Sequence, residues 1–191
     1  MEFHLFGATQ DRQLWHTLAN LKDNPPFDFT SEPWGDVDVQ ALGHPGTGKV
    51  LDSACTMDGQ GNLHVLVVTD EGNEPNKLWI AIRSKKTRDW MKFADVETGS
   101  GVQAGPGPSE DIVAVTATTR MTPPEDLHLH IFALTNNGNL FHAVWARATG
   151  GDNPWEKGPN GQPAKWVKKF TQIKIDGRPG TFTTLETTSL R

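Results

Sequence analysis

Short, largely apolar runs bounded by polar or Gly-containing turns recur along this chain, each the length of a β-strand, whose period of two sends successive side chains to opposite sides of an extended backbone. Three of these runs share one pattern. Residues 3–9 (FHLFGAT), 63–69 (LHVLVVT) and 129–135 (LHIFALT) each read apolar residue, histidine, apolar stretch, threonine. Thr9, Thr69 and Thr135 fall 60 and 66 residues apart. A second run follows each of them after a short turn: Leu14-Trp15-His16, Leu78-Trp79-Ile80 and Leu140-Phe141-His142. The intervening residues 70–73 (DEGN) and 136–139 (NNGN) are hairpin signals, so each pair of runs predicts an antiparallel hairpin.

Two further segments complete the unit. Trp34, Trp90 and Trp166 open segments 34–37, 90–93 and 166–170, which read as an outer strand after each hairpin. Segments 50–57 (VLDSACTM), 112–119 (IVAVTATT) and 182–189 (FTTLETTS) are short, rich in β-branched residues, and read as a first strand. The chain is therefore permuted within a four-stranded repeat, beginning at a second strand and finishing with a first. The repeats span approximately 1–48, 49–110 and 111–180, with 181–191 as a closing strand. In the middle repeat Leu78, Ile80 and Ile82 point one way and Trp79, Ala81 and Arg83 the other, so both faces of that sheet are expected to be covered.

Four antiparallel strands repeated at regular spacing predict an all-β fold, a single β-propeller domain over 1–191 with three four-stranded blades per chain. A sandwich of about a dozen strands shares the composition but does not predict a permuted repeat. Propellers usually have four to eight blades, so three are too few. Two chains around a two-fold axis make six, each closing strand completing the first blade of the partner, and a homodimer is the expectation. The alternatives are a monomer with an irregular closure and a piece of a longer chain.

Segments 63–72, 77–79 and 90–96, together with 137–145 in the third repeat, resemble the tectonin-like repeats of bacterial propeller lectins. The resemblance extends over nearly the whole chain apart from 19–33 and 146–165. It implies a propeller, and sugar binding by analogy. Fucose-binding propellers place an Arg, a Glu and a Trp in each site. This sequence does not repeat such a set, because Arg83 is matched by Ala19 and Trp145 in the other repeats.

Composition narrows the function. The 191 residues carry a formal net charge of -5, with a pI near 5.8. That excludes a surface that tracks phosphates, and no nucleic-acid partner is expected. The one dense basic cluster, 83–88 (RSKKTR), reads as a solvated turn. No apolar run approaches the roughly 20 residues of a membrane span. Met1 leads straight into a strand-like segment, so the chain reads as soluble with no signal peptide. Cys55 is the only cysteine, which removes disulfides and cysteine zinc sites, and a lone cysteine is most simply a small buried residue. Seven Trp and nine Phe with no Tyr exceed the needs of a core this size, so some of them are candidate binding platforms.

Catalytic signals are missing from the sequence. Residues 43–50 (GHPGTGKV) follow the spacing of a phosphate-cradling loop until Val50, where a Ser or Thr would hold magnesium, and a strand is expected next in place of the required helix. His128 and His130 lie on one strand face, but His130 has counterparts at His4 and His64 and reads as a structural hydrogen-bonding residue. Asp70, Glu71, Glu110, Asp111, Glu125 and Asp126 fall in turn-like segments. No nucleophile elbow or sialidase box is present. The expectation is no enzyme, no metal and no cofactor.

The aromatic residues remain. An indole face stacks on the C–H side of a sugar while nearby polar groups fix its hydroxyls. Trp15, Trp79 and Phe141 share a column that reads as packing between blades, with Trp79 buried between Leu78 and Ile80. Trp90 follows the turn 85–89 and is expected at the rim beside Arg83. The expected ligand-binding set is Trp34, Arg83, Trp90, Trp145 and Trp166, holding a glycan in grooves between blades. The function that follows is a non-catalytic carbohydrate-binding lectin. A scaffold for a protein partner and a propeller hydrolase are the alternatives.

Overall fold

In a computed structural model of the chain, antiparallel hairpins form at all three copies of the repeated pattern. The structure describes residues 2–9, 13–20, 35–37, 45, 48–96, 110–122, 126–147, 165–174 and 182. The elements bounded among them are β-strands, and Val37 after the third of these is helical. Strands β1 (Glu2–Ala8), β2 (Leu14–Asn20) and β3 (Gly35–Asp36) form the first sheet. The second contains β4 (Lys49–Met57), β5 (Leu63–Asp70), β6 (Lys77–Arg83) and β7 (Ala94–Asp95). The third contains β8 (Ile112–Thr122), β9 (Asp126–Thr135), β10 (Leu140–Arg147) and β11 (Lys165–Gln172). Each sheet is an antiparallel meander in sequence order.

The hairpin register is common to the three. Phe6 stands opposite His16, Leu66 opposite Ile80, and Phe132 opposite His142. Turn chemistry fixes it: Gly72 and Gly138 take φ of 75° and 69°, a region that glycine enters without steric cost. The Thr135 amide donates to the Asn139 carbonyl at 3.0 Å, as the Thr9 amide does to that of Gln13. A slip of one residue would turn every apolar side chain to the wrong face.

The sheets stack with the second in the middle. β5 is buried from Leu63 to Thr69 because its two faces serve different cores. Leu63, Val65 and Val67 join Leu14 of the first sheet and Val37, which follows β3. Leu66 and Val68, with Leu78 and Ile80, meet Leu129, Ile131 and Trp145 of the third. Each fully buried side chain of this kind contributes about 1.5–3 kcal/mol. Strands β4 and β8 run side by side at one edge: the Val115 amide donates to Asp52 Oδ2 at 2.7 Å and the Thr119 hydroxyl to the Met57 carbonyl at 2.6 Å. Among the described residues, one face of the first sheet and one face of the third have no neighbouring sheet.

Several expectations change. The outer strands opened by tryptophan are shorter than the pattern suggests in two sheets, where only Gly35–Asp36 and Ala94–Asp95 pair. The turn after β6 carries Arg88 at φ 63°, and the following segment touches β6 at separate points instead of as one ladder. These are a bridge from Arg83 to Trp90, a bond from the Met91 amide to the Ile82 carbonyl, and one from Val96 to Leu78. Cys55 is exposed on β4 instead of buried. Lys49 and Val50 open a strand, which removes the helix that a phosphate loop needs. Gly48 lies so close to the Asp70 carbonyl that a Cβ there would collide with it. The expected strand at 182–189 and closing segment 181–191 lie outside the described residues, apart from residue 182. Among the described residues no helix is long and apolar enough to cross a membrane.

Candidate functional site

Each hairpin carries a threonine just before its turn and an aromatic residue just after it. In the second sheet Trp79 is half-buried, and its indole Nε1 donates to the Thr69 hydroxyl at 2.8 Å. That hydroxyl donates onward to Glu71 Oε1 at 2.6 Å. The Lys77 ammonium stands 6.0 Å from the indole centroid, at the edge of cation–π range. One partly open aromatic face is thus surrounded by a hydroxyl, a carboxylate and an ammonium. This mixture of apolar platform, acceptor and donor suits a polyhydroxylated ligand with a C–H face.

The other two sheets vary the theme. In the third, the Thr135 hydroxyl donates to Glu110 Oε2 at 2.8 Å, and Asn139 Nδ2 donates to both oxygens of Glu110 at 3.0 and 3.1 Å. Phe141 replaces the tryptophan there and is buried. In the first sheet Trp15 is half-buried and lines an open cleft of about 460 Å³ with Gly7, Ala8 and Thr9.

The residues expected to touch ligand are distributed differently. Arg83 is half-buried at the end of β6. Trp90 is only 8% exposed, with the edge of one ring on the other against His16 at 5.4 Å. Its placement at the rim is corrected: the bridge to Arg83 draws the indole inward, where it packs with Phe93 and Leu14. Trp145 is 2% exposed, because its register opposite Leu129 aims it into the core between the second and third sheets. Trp166 pairs with Trp145 through the backbone, and its side chain lies outside the described residues, as does Trp34 altogether. Trp79, expected in the core, is half-buried, and among the described tryptophans it shares that partial exposure with Trp15. The sequence signal for that exposure is its position two residues from Lys77, on the same side of the strand and beside a hairpin mouth, where a strand leaves the shelter of its neighbours.

The histidines are structural pairs. His4 Nδ1 and His16 Nε2 lie 2.9 Å apart with stacked rings, and His130 Nδ1 and His142 Nε2 lie 3.0 Å apart in the same arrangement. Burial, then the charges of His4 and Arg83, push His16 down to about 3, so the ring is neutral near pH 7. Burial, then His128 and Arg120, lower His130 as well. The second sheet differs, with Ile80 in the place of His16. There His64 Nε2 donates to Asp58 Oδ2 at 3.1 Å, and the same carboxylate accepts from the Gln60 and Asn62 amides at 2.9 and 2.8 Å. Burial pushes Asp58 up, but the hydrogen bond and charge of His64, with the Asn62 bonds, bring it below the usual carboxylate value. Among the described residues no group of three or more His, Cys, Asp or Glu side chains is placed to hold a metal ion.

The sequence matches no protein-family profile, and no curated protein matches it. Among solved structures, the chain is similar to a fucose lectin from Kordia zhangzhouensis in complex with methyl-fucoside, at 13% sequence identity and a TM-score of 0.41, over 75% of this chain and 83% of that one.

Proposed function

We propose that this protein is a non-catalytic carbohydrate-binding lectin, its three sheets being blades of a propeller that a second copy completes to six. The observation that carries the sugar reading is the Trp79 cluster: a half-open indole with Thr69, Glu71 and Lys77 around it. Stacking on the indole removes apolar C–H surface from water, while the carboxylate and ammonium accept from and donate to hydroxyls. Arg83 belongs to the same proposal as a second donor in the groove, and Trp34 and Trp166 belong to it by repeat position. Trp90 and Trp145, being buried, shape the grooves from beneath. Since the cluster itself supplies donors and acceptors, no metal is required.

A glycan array followed by titration tests this. Trp79→Ala is expected to weaken binding by about 1–3 kcal/mol, the range for an aromatic anchor. Its melting temperature should change far less than that of a variant in a buried tryptophan, and chelator should leave the affinity unchanged. If no glycan rises above background and a pull-down recovers one protein in stoichiometric amount, the scaffold reading replaces this one.

A further inference from the structure

The sheets stack with a constant polarity. The face of the first sheet bearing Phe6, Leu14 and His16 lies on the second sheet, against Val65, Val67 and Trp90. The corresponding face of the second, bearing Leu66, Leu78 and Ile80, lies on the third, against Ile131, Ala133 and Trp145.

The third sheet then repeats the contact face of the first. Phe132 stands where Phe6 does, Leu140 for Leu14, His142 for His16 and His130 for His4, in one register and with the same stacked histidine pair. Only the cover differs. Leu14 and His16 are 0% and 5% exposed, whereas Leu140 and His142 are half-buried. At the opposite end of the stack, the first sheet presents outward the face that the second uses as a docking surface. Leu5 is 40% exposed where its counterpart Val65 is 0%. Gly7, in the place of Val67, leaves open space where a side chain would stand, beside the cleft at Trp15.

From this we infer that the two outward faces are partners across two copies of the chain. The Phe132 and His142 face of one protomer docks on the Leu5 and Trp15 face of the other, and the reverse, around a two-fold axis. The inference rests on the six-blade reading above and not on sugar binding. A second copy is the fitting occupant because the contact inside the chain already joins these two residue sets. Phe6 shares a cluster with Val67, and Gly7 in that position gives the counterpart Phe132 room. Docking also turns the open cleft at Trp15 into a groove like that at Trp79, so the binding surface of the first sheet is incomplete in a single chain.

Sedimentation at micromolar concentration is the test. The parent should run at twice 21.0 kDa. Leu5→Asp and Phe132→Asp each spoil both contacts, and each should sediment as a folded monomer. Mixing them in equal amounts leaves one heterodimer contact with both faces unaltered, so dimer should reappear. Gly7→Lys adds its side chain where nothing lies within 4 Å, and it serves if Leu5→Asp does not fold. A monomeric parent overturns the inference, as does a dimer that only one of the two faces affects, or a mixture of folded variants that stays monomeric. Because mass is the readout, a failure here is distinct from a failure to bind glycan.

Discussion

Trp145→Ala and Trp90→Ala are each expected to remove about 3–5 kcal/mol of folding stability, the cost of deleting a buried aromatic. Trp145 lies in the core between the second and third sheets, edge-on to His64 at 6.4 Å. Trp90 closes the core between the first and second. Its indole N–H meets no acceptor among the described residues, so the loss is one of packing, and Trp90→Phe should retain most of the stability. Folding of a domain this size is favoured by about 5–15 kcal/mol, so either alanine variant should melt early or populate unfolded chain. Trp79→Ala removes a half-exposed ring and should cost clearly less. Denaturant unfolding of the variants measures the difference. If Trp90→Ala behaves like the parent while Trp79→Ala unfolds, the order of burial described above is wrong.

Acid should weaken the fold well above the range where carboxylates titrate. His16 has a folded-state pKa of about 3 against an ordinary value of 6.5. Between those values the unfolded chain holds a proton that the folded chain does not, so stability rises with pH. The contribution is complete above about 6.5 and is lost as pH falls toward 3, by up to about 1.4 kcal/mol per pH unit. The lowered His130 acts in the same direction. Asp58, also lowered, adds its loss only below its ordinary value of 3.8. Ile80 occupies the equivalent position in the second sheet, which makes His16→Ile a substitution the fold already uses. Thermal melts from pH 7 to 4 should show a flatter slope for that variant, and an unchanged slope would remove His16 as the cause.

The strands and their faces were legible because a period of two, repeated three times, fixes which residues share a side. Residues 63–69 alternate between two cores as their pattern required. Solvent access at strand ends was not legible in the same way. Trp79 has apolar neighbours, Leu78 and Ile80, and Trp90 has Asp89 and Met91, yet it is Trp79 that opens to water, because access depends on the hairpin mouth at Thr69 and on the path after Arg88, set by tertiary approach. The histidine pairs left a clear mark: His4 and His16, like His130 and His142, are separated by 12 residues. The second sheet lacks that partner, and its Asp58 could be connected to His64 only once the turn had brought it back.

The burial of β5 on both sides has a consequence for how the molecule breathes. Its amides lie in ladders with β4 and β6, under a neighbouring sheet on each face. Exchanging one of them with solvent requires two cores to part together, so the protons of Leu63–Thr69 should be the slowest to exchange and report global unfolding. Within one chain, and among the described residues, β1 has β2 as its ladder partner and one covered face, so its amides open through smaller fluctuations until a second copy docks. Among the described strands of a single chain, local stability therefore falls from β5 outward to β1.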